Sequence, residues 1–264
     1  MADVRVEVTD LVATVTLQRP PVNALSADMM REITAVFRDL GRGTAAAVAV
    51  LTADGDRVFC GGADVDESER RYVRRELIAT ETVADLIDPG MVVRDCLFSI
   101  SSGALPVVAA VNGAAVGAGL ALVASCDIVI ASENAHFALP EINVGVLGGA
   151  RHAQRLVGLH KAREMMLTGR RVPAAELYRL GSVSEVVAPD RLAETARGLA
   201  LEMAAKSPIA LRLAKQSMNR VEQLPLEDGY RVEQDYTTRI SGFDDAREAR
   251  DAWRAKRAPT WTWR

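Results

Sequence analysis

The feature that most constrains the fold of this chain is an apolar run that passes directly into a glycine-rich loop. Residues 106–113 read PVVAAVNG, and the loop GAAVGAG leads without a break into GLALVASC and then DIVIAS. We interpret this succession as strand, tight turn, helix and strand. A strand without polar alternation is typical of a sheet covered on both faces. The sequence therefore predicts an α/β core built from repeated strand-strand-helix turns.

The start of the chain supplies further elements of the same core. The alternating segments VRVEV and ATVTLQ are separated by TDL, which predicts a β-hairpin. A helix is predicted over SADMMREITAVFRDL, where Ser26 can cap the start and Met29, Ile33 and Phe37 recur at helical spacing. The following run, AAVAVLTA, is interpreted as another strand covered on both faces.

The rest of the chain has a more helical character. Residues 67–102 begin rich in charge and are expected to form a helical excursion from the core. Beyond about Gly181, no low-complexity linker precedes the helical patterns RLAETARGLALEMAAKS, IALRLAKQSMNRV and DDAREARDAWRAKR. We predict a core over residues 1–200 and a helical C-terminal region over residues 201–264, packed on that core or on a neighbouring subunit.

Charge and composition narrow the choice of partner. The 264 residues carry a formal net charge of −3, which gives no overall attraction to nucleic acid or to an anionic membrane surface. The start, MADVRVEVTD, lacks the basic and apolar regions of a signal peptide, and the long apolar stretches are interrupted by Gly, Pro and Asn. We expect a cytoplasmic protein with no membrane segment and a small-molecule partner.

Cysteine and histidine spacing does not predict a metal site. The cysteines are odd in number and scattered, without CxxC spacing, and the histidines form no HExxH motif. These residues are Cys60, Cys96, Cys126, His136, His152 and His160. The cysteines are expected to be reduced thiols, and no metal is expected.

Two short loops bring small residues to the ends of predicted strands. They are FCGGAD at residues 59–64 and NGAAVGAG at residues 112–119. Small residues leave backbone N–H groups accessible, and the second loop enters a helix whose first N–H groups have no intrahelical partner. Two such donors can form an oxyanion hole. Alternatively, the glycines merely permit tight turns. Neither loop has GxGxxG or GxxxxGK spacing, which disfavours nucleotide binding.

Glu141 is the candidate acid or base. It follows Pro140 in HFALPEINVGVLGG, beside an apolar segment that could raise the pKa of its carboxyl group. Taken alone, Glu141 is better interpreted as a helix-capping or salt-bridged surface residue, since most acidic side chains are exposed.

Together these elements resemble the enoyl-CoA hydratase/isomerase (crotonase) superfamily over nearly the whole chain. The segments that carry the resemblance are QRPPVNALSADMMREI, VFCGGADV, KAREMMLTGRRVPAAELYRLGSVSEVV and KSPIALRLAKQSMN. The resemblance implies a spiral of strand-strand-helix turns with a helical C-terminal trimerisation region. It also implies homotrimers or dimers of trimers, and an acyl-CoA thioester substrate. No separate cofactor is implied, because coenzyme A is part of the substrate.

The same resemblance assigns site residues. It places the oxyanion-hole amides at Ala63 and Ala118, and the family's second catalytic glutamate at Glu141. Ala118 stands where glycine is commoner, but alanine keeps the amide donor. Contacts to coenzyme A are implied for Ala118 and for residues 61–65, including Gly61, Ala63, Asp64 and Val65.

One departure from the family affects the chemistry directly. The family's first catalytic glutamate is replaced by Ala121, which lies three residues after Ala118 and so shares its helix face. A methyl group cannot activate water. Double-bond isomerisation with Glu141 as the only acid/base is therefore expected, or an atypical one-glutamate hydration. Thioester hydrolysis, decarboxylation, carbon–carbon cleavage and non-catalytic CoA-thioester binding are the alternatives.

Three other features lie outside the family pattern or have two interpretations. His152 is interpreted as a surface residue in preference to a substrate-facing group. Asp66 replaces a lysine that is frequent in the family. The tryptophans of WRAKRAPTWTWR could meet the adenine of coenzyme A, although packing at an interface is at least as good an interpretation.

Overall fold

A computed structural model describes residues 2–70 and 82–264. The chain begins with an antiparallel hairpin of β1 (Val4–Thr9) and β2 (Val12–Leu17). Asp10 and Leu11, which form the turn, have φ angles of 54° and 61°. Positive φ at both central residues gives a turn whose twist matches that of the flanking strands. The predicted hairpin is confirmed.

The hairpin continues into a six-stranded sheet in the order β1-β2-β3-β5-β7-β10. Apart from the hairpin pair, neighbouring strands are parallel. The added strands are β3 (Val48–Ala53), β5 (Val107–Val111), β7 (Ile128–Ser132) and β10 (Glu185–Val187). All five residues of β5 are buried, so the prediction of strands covered on both faces is confirmed.

Alternate residues of the central strands enter two different apolar layers. Val48 and Val108 face a layer completed by α9 (Leu192–Ala204). Ala49, Leu51 and Ala109 face the larger core on the other side. This division follows from the two-residue period of a strand. It explains why the sequence of these strands shows no polar alternation.

A second sheet of four short strands carries the loops of interest. Its order is β4 (Val58–Cys60), β6 (Ala114–Val116), β8 (His136–Ala138) and β9 (Arg171–Pro173). β4, β6 and β8 are parallel, whereas β9 is antiparallel to β8. The carboxyl ends of the three parallel strands therefore lie at one edge.

Helices surround the two sheets. Ser26 caps α1 (Ala27–Arg42) by accepting a hydrogen bond from the Met29 N–H at 3.2 Å, as the sequence predicts. The predicted helical excursion contains α2 (Val65–Ser68), α3 (Val83–Ile87) and α4 (Met91–Ser101), while residues 71–81 lie outside the described part. The helices that follow are α5 (Ala118–Ala124), α6 (Ala150–Val157), α7 (Leu159–Thr168) and α8 (Ala174–Arg179).

The C-terminal region is helical. After α9 come α10 (Pro208–Val221), α11 (Leu226–Ser241) and α12 (Asp244–Ala255). The sequence patterns had indicated α9, α10 and α12 but not α11. The predicted boundary at residue 200 falls inside α9, where Ala200 packs on the sheet, and the division into two regions stays a prediction. Within residues 2–70 and 82–264, no helix has the length and apolar character needed to cross a membrane.

A buried lysine joins α10 to the core. The Nζ atom of Lys215 donates hydrogen bonds to the carbonyl oxygens of Ile100 and Leu105, at 2.7 and 2.8 Å. It also contacts a carboxylate oxygen of Asp127 at 2.8 Å. A buried charge is tolerated only with such partners. The C-terminal region is therefore attached to the core by directional contacts as well as by apolar packing.

Candidate functional site

The two predicted loops lie side by side. β4 and β6 pair in parallel, with Cys60 opposite Ala115, so the loops leave the sheet together. Their contact needs glycine: a Cβ at Gly119 would collide with the Cys60 carbonyl, and a Cβ at Gly62 would lie 3.1 Å from the Val116 carbonyl oxygen. The structure thus brings together two stretches that are more than fifty residues apart in the chain.

The backbone around Ala63 leaves its N–H group free. The N–H of Leu25 donates to the carbonyl of Gly62 at 2.8 Å, and the carbonyl of Leu25 accepts from the N–H of Asp64 at 3.0 Å. In a parallel bridge of this kind, the N–H of the central residue points away from the bonded strand. The Ala63 N–H makes no hydrogen bond with any of the described residues.

The N–H of Ala118 is also available. Ala118 is the first residue of α5, and the first N–H bonded back along this helix is that of Ala121, which donates to the Gly117 carbonyl at 3.1 Å. Among the described residues nothing accepts a hydrogen bond from Ala118 N–H. A Cβ at Gly62 would lie 3.9 Å from the Ala118 nitrogen, so the two loops that carry the free amides touch.

Glu141 is held beside this pair of loops. β8 lies next to β6, and the Gly117 N–H donates to the Ala138 carbonyl at 2.9 Å. The chain then turns in a 3₁₀ helix, Pro140–Val144, which carries Glu141. A Cβ at Gly117 would lie only 2.9 Å from Oε1 of Glu141, and one at Gly149 would lie 3.8 Å from it. Glycines therefore line the space around the carboxylate.

The carboxylate of Glu141 is poorly satisfied. The side chain is half-buried, and Oε2 is buried with no hydrogen-bond partner in the described part of the chain. Burial raises the pKa of Glu141 above its ordinary value, and its own backbone N–H opposes part of that shift. These observations disagree with the interpretation of Glu141 as an exposed, salt-bridged residue. A buried oxygen without a partner is typical of a functional site.

Ala121 adds no polar group to the site. It lies in α5, is 2% exposed and belongs to the larger core. Its backbone N–H and carbonyl are both used, in bonds with Gly117 and Ser125. The methyl group cannot hold or move a proton.

Arg19 and Asn23, which the sequence patterns did not identify as site residues, hold the Ala63 loop and the strand before it by hydrogen bonds. Arg19 donates to the Ala24 carbonyl and to Oδ2 of Asp64, each at 2.9 Å. Asn23 donates to the carbonyls of Val58 and Phe59 at 3.3 and 3.2 Å. Both belong to the RPPVNAL segment directly after β2. The segment carried a family resemblance, but nothing in its local pattern showed what the two side chains contact.

In residues 61–65, the stretch predicted to contact coenzyme A, some backbone groups already form hydrogen bonds within the protein. The Gly61 N–H donates to the Val22 carbonyl at 2.8 Å, whereas Val65 is 75% exposed. Burial opposes the negative charge of Asp64, but hydrogen bonds from the Glu67 N–H and Arg19 outweigh it and hold the pKa of Asp64 below its ordinary value. Asp66 is exposed. Contacts of residues 61–65 with coenzyme A stay a prediction.

His152 is more enclosed than the sequence suggested. Its side chain is half-buried in the first turn of α6, and its ring centre lies 6.4 Å from that of Phe98 in α4. Burial lowers the pKa of His152, and the nearby charges of Arg155 and Arg151 lower it further. The imidazole is thus neutral near pH 7.

The three C-terminal tryptophans differ in their exposure and in their contacts. Trp253 is 82% exposed, whereas the Trp261 indole N–H donates to the Ala205 carbonyl at 3.0 Å. The Arg212 guanidinium lies 5.2 Å from the ring centre of Trp263. Trp261 therefore contacts the C-terminal region itself, whereas Trp263 packs on the apolar layer between α9 and the sheet.

Metal ligands do not cluster in the described residues, where no three His, Cys, Asp or Glu side chains could hold an ion together. Cys60, Cys96 and Cys126 are free and buried, and burial raises the pKa of each thiol, that of Cys60 to about 12. Such thiols are poor nucleophiles.

Comparison with known proteins gives one consistent result. A family model described as enoyl-CoA hydratase/isomerase matches residues 7–264. A probable enoyl-CoA hydratase from Rhizobium meliloti is 38% identical over 259 residues, covering 96% of this chain and 95% of its own length. The Rhodococcus jostii protein named (7aS)-7a-methyl-1,5-dioxo-2,3,5,6,7,7a-hexahydro-1H-indene-carboxyl-CoA hydrolase is 36% identical over 242 residues, covering 92% and 90%.

A solved structure shows the same fold. The crystal structure of an enoyl-CoA hydratase/isomerase from Mycobacterium paratuberculosis superposes with a TM-score of 0.90 at 31% sequence identity. The superposition covers 99% of this chain and 99% of that one.

Proposed function

Because this chain belongs to the enoyl-CoA hydratase/isomerase family, whose members act on acyl-CoA thioesters, we propose that it forms an enolate of such a thioester with Glu141 as its only acid/base. The N–H groups of Ala63 and Ala118 would hold the thioester oxygen. No cofactor is required, since coenzyme A enters as part of the substrate.

The observation that best supports the proposal is the position of the Glu141 carboxylate next to the two free amides. Its carboxylate lies against Gly117, the residue before the free Ala118 amide, and one of its oxygens is buried without a partner. Two amide donors make the α-proton of a thioester more acidic, because they stabilise the negative charge that develops on oxygen. A base beside those donors can remove that proton and return it elsewhere.

The proposed reaction is the movement of a carbon–carbon double bond. Glu141 would take a proton from C2 of a 3-enoyl thioester, the enolate would delocalise, and the same carboxyl group would return the proton at C4. The products balance because no atom is gained or lost. Ala121 supports this reaction over ordinary hydration, because its methyl group supplies no second carboxylate to activate water. A one-glutamate hydration would need Glu141 to serve both water and carbon.

Hydrolysis is a second candidate, supported by the Rhodococcus jostii protein, which is named a hydrolase of a carboxyl-CoA compound with a fused ring and two ketones. In one such reaction, water would give a proton to Glu141 and add to a ketone at C3 of a thioester; collapse of the adduct would break the bond between C2 and C3 and leave a carboxylic acid at C3. The electron pair of that bond would form an enolate that the same two amides stabilise, and Glu141 would return the proton to C2. Decarboxylation and thioester hydrolysis are further variants. A protein that only binds the thioester would leave every substrate unchanged.

We also propose that the protein assembles as a homotrimer or a dimer of trimers. Val144, at the end of the 3₁₀ helix, and Val146 and Leu147 just after it are exposed at 73%, 53% and 82%. Apolar side chains this exposed and this close together are typical of a contact surface. Mass measurement in solution would test the assembly.

A substrate panel tests the function. The protein would be incubated with 2-enoyl, 3-enoyl, 3-hydroxyacyl, 3-oxoacyl and malonyl-type CoA thioesters, with products identified by mass spectrometry and Glu141→Gln as the matched control. We expect 3-enoyl thioesters to become 2-enoyl thioesters with wild-type protein only. Hydrolytic cleavage of 3-oxoacyl thioesters between C2 and C3 would establish the second candidate. Turnover that is equal in Glu141→Gln would refute the role of Glu141.

A further inference from the structure

Arg19 connects the segment after β2 to the loop that carries the Ala63 amide. Its guanidinium donates to the Ala24 carbonyl and to the Asp64 carboxylate, each at 2.9 Å, so one planar group spans both stretches. A carboxylate of Asp3 lies 3.5 Å from its Nε atom. The Arg19 and Asp64 side chains are 31% and 22% exposed, which shields their contact from much of the solvent.

Asp64 directs all of its polar groups inward. Its second carboxylate oxygen accepts from the Glu67 N–H at 3.1 Å and caps α2. Its own N–H donates to the Leu25 carbonyl at 3.0 Å, and its carbonyl accepts from the Ser68 N–H at 2.9 Å. All of these bonds are formed within the protein, and they fix the loop on the C-terminal side of Ala63.

The direction of the Ala63 N–H depends on these bonds. Gly62, on the other side, has a φ of 107°, in a region that glycine enters with little cost and leaves as easily. The bridge to Leu25 holds the peptide groups on both sides of Ala63. Arg19 in turn holds Ala24 and Asp64, which flank the two partners of that bridge. Charge-assisted contacts of this type are stronger than neutral ones.

We propose that Arg19 and Asp64 are positioning residues, which aim the Ala63 N–H at the thioester oxygen. The inference rests on the proposed function, because it presupposes that this amide serves as an oxyanion donor. Both side chains are engaged in hydrogen bonds within the protein, and this role requires no contact between them and the substrate. Their loss changes the polarisation of the thioester carbonyl and the rate of the enolate step, while the affinity for coenzyme A thioesters stays nearly constant.

Infrared difference spectroscopy with acetyl-CoA labelled with ¹³C at the thioester carbonyl measures that polarisation directly. Hydrogen bonding moves the carbonyl stretch to lower frequency, and the small acetyl group avoids dependence on the unknown acyl preference. The variants are Arg19→Met, Arg19→Lys and Asp64→Asn. Arg5→Met is the matched control, because Arg5 lies on β1, before the segment that contains Arg19, and forms an exposed pair with Asp54 at 3.1 Å.

We expect the shift seen with wild-type protein to shrink in Arg19→Met and Asp64→Asn and to be intermediate in Arg19→Lys, whose single ammonium can retain one of the two acceptors. For the substrate identified by the panel, kcat should fall about 10- to 100-fold, part of the about 10²- to 10³-fold value of one oxyanion donor, with KM changed less than about threefold. Arg5→Met should match wild type in both measurements.

The outcomes distinguish an error in the proposed oxyanion hole from an error in the positioning role of Arg19 and Asp64. If bound acetyl-CoA shows no shift even with wild-type protein, the oxyanion hole itself is wrong. If wild type shows the shift and both Arg19→Met and Asp64→Asn retain it with unchanged kcat, the positioning role is overturned. Should Arg19→Met fail to fold, Asp64→Asn decides alone, because asparagine keeps one oxygen for the Glu67 N–H and replaces the oxygen that accepts from Arg19 with an NH₂ group, which cannot accept.

Discussion

Replacing Gly117 by alanine tests whether the Glu141 carboxylate occupies the position described. Gly117 has φ 57° and ψ −119°, a backbone conformation that residues with a side chain rarely adopt. A Cβ there would lie 2.9 Å from Oε1 of Glu141 and 3.4 Å from its carboxyl carbon. Because Oε1 is at the end of a flexible side chain, we expect the carboxylate to move aside and the backbone to remain in place.

This geometry determines the expected loss of stability and the expected loss of activity. The backbone strain should cost about 1–3 kcal/mol of unfolding free energy, which lowers Tm by about 2–4 °C for each kcal/mol in a domain of this size class. Relief of the contact requires the oxygen to retreat by roughly half an ångström. Since a misplacement of about 1 Å can cost about 10²-fold in rate, we expect kcat to fall roughly 10-fold.

Gly181→Ala is the matched control. Gly181 also has a positive φ, of 75°, but a Cβ there would meet nothing within 4 Å. Thermal unfolding and steady-state kinetics of both variants would be measured side by side. Both should lose stability, and only Gly117→Ala should lose activity. An equal or smaller loss of kcat in Gly117→Ala would refute the reasoning, as would a further loss when Gly117→Ala is added to Glu141→Gln.

Three other substitutions test the remaining parts of the site. Glu141→Gln should lower turnover by about 10²-fold or more while calorimetry still detects acyl-CoA binding. Burial raises the folded-state pKa of Glu141, so the loss of stability from its ionisation begins above the ordinary value of 4.5 and is complete above the folded-state pKa. Glu141→Gln should therefore raise Tm at pH 7, by less as pH falls, and not at all below 4.5; an unchanged Tm at pH 7 would contradict the shift. Ala118→Pro removes one donor and should cost about 10²- to 10³-fold in rate; unchanged kinetics in a folded variant, verified by circular dichroism, would exclude Ala118. Ala121→Glu should raise hydration of crotonyl-CoA relative to double-bond migration, measured from product ratios; wild type that already hydrates as fast as it isomerises would show that the missing glutamate does not decide the reaction.

Much of the fold follows from local sequence patterns. The hairpin, the Ser26 cap and the buried strands depend on neighbouring residues, and their periodicity was sufficient to predict them. The sequence patterns do not indicate helix α11, although Val232, Tyr236 and Ile240 recur in it at helical spacing and are half-buried; only Gly229 of it is buried, so its apolar stripe is narrow.

Part of the site could also be predicted from local sequence patterns, and part could not. The two small-residue loops and Glu141 could be identified from motifs, but their approach depends on the pairing of β4, β6 and β8, strands of three residues each. The contact of Arg19 with Asp64 joins residues 45 positions apart, and no periodicity reports a contact of that range. The crowding of Glu141 by Gly117 depends on a backbone angle that the sequence allows without requiring it.

The two free N–H groups at Ala63 and Ala118 have a consequence for how this site can change during evolution. A main-chain donor survives every substitution except proline, so point mutations seldom remove it. The acid/base, by contrast, is one side chain that a single codon change can delete or supply at another position, as Ala121 illustrates. If the proposed function holds, selection can therefore exchange the group that moves protons while the two donors that would stabilise an enolate persist.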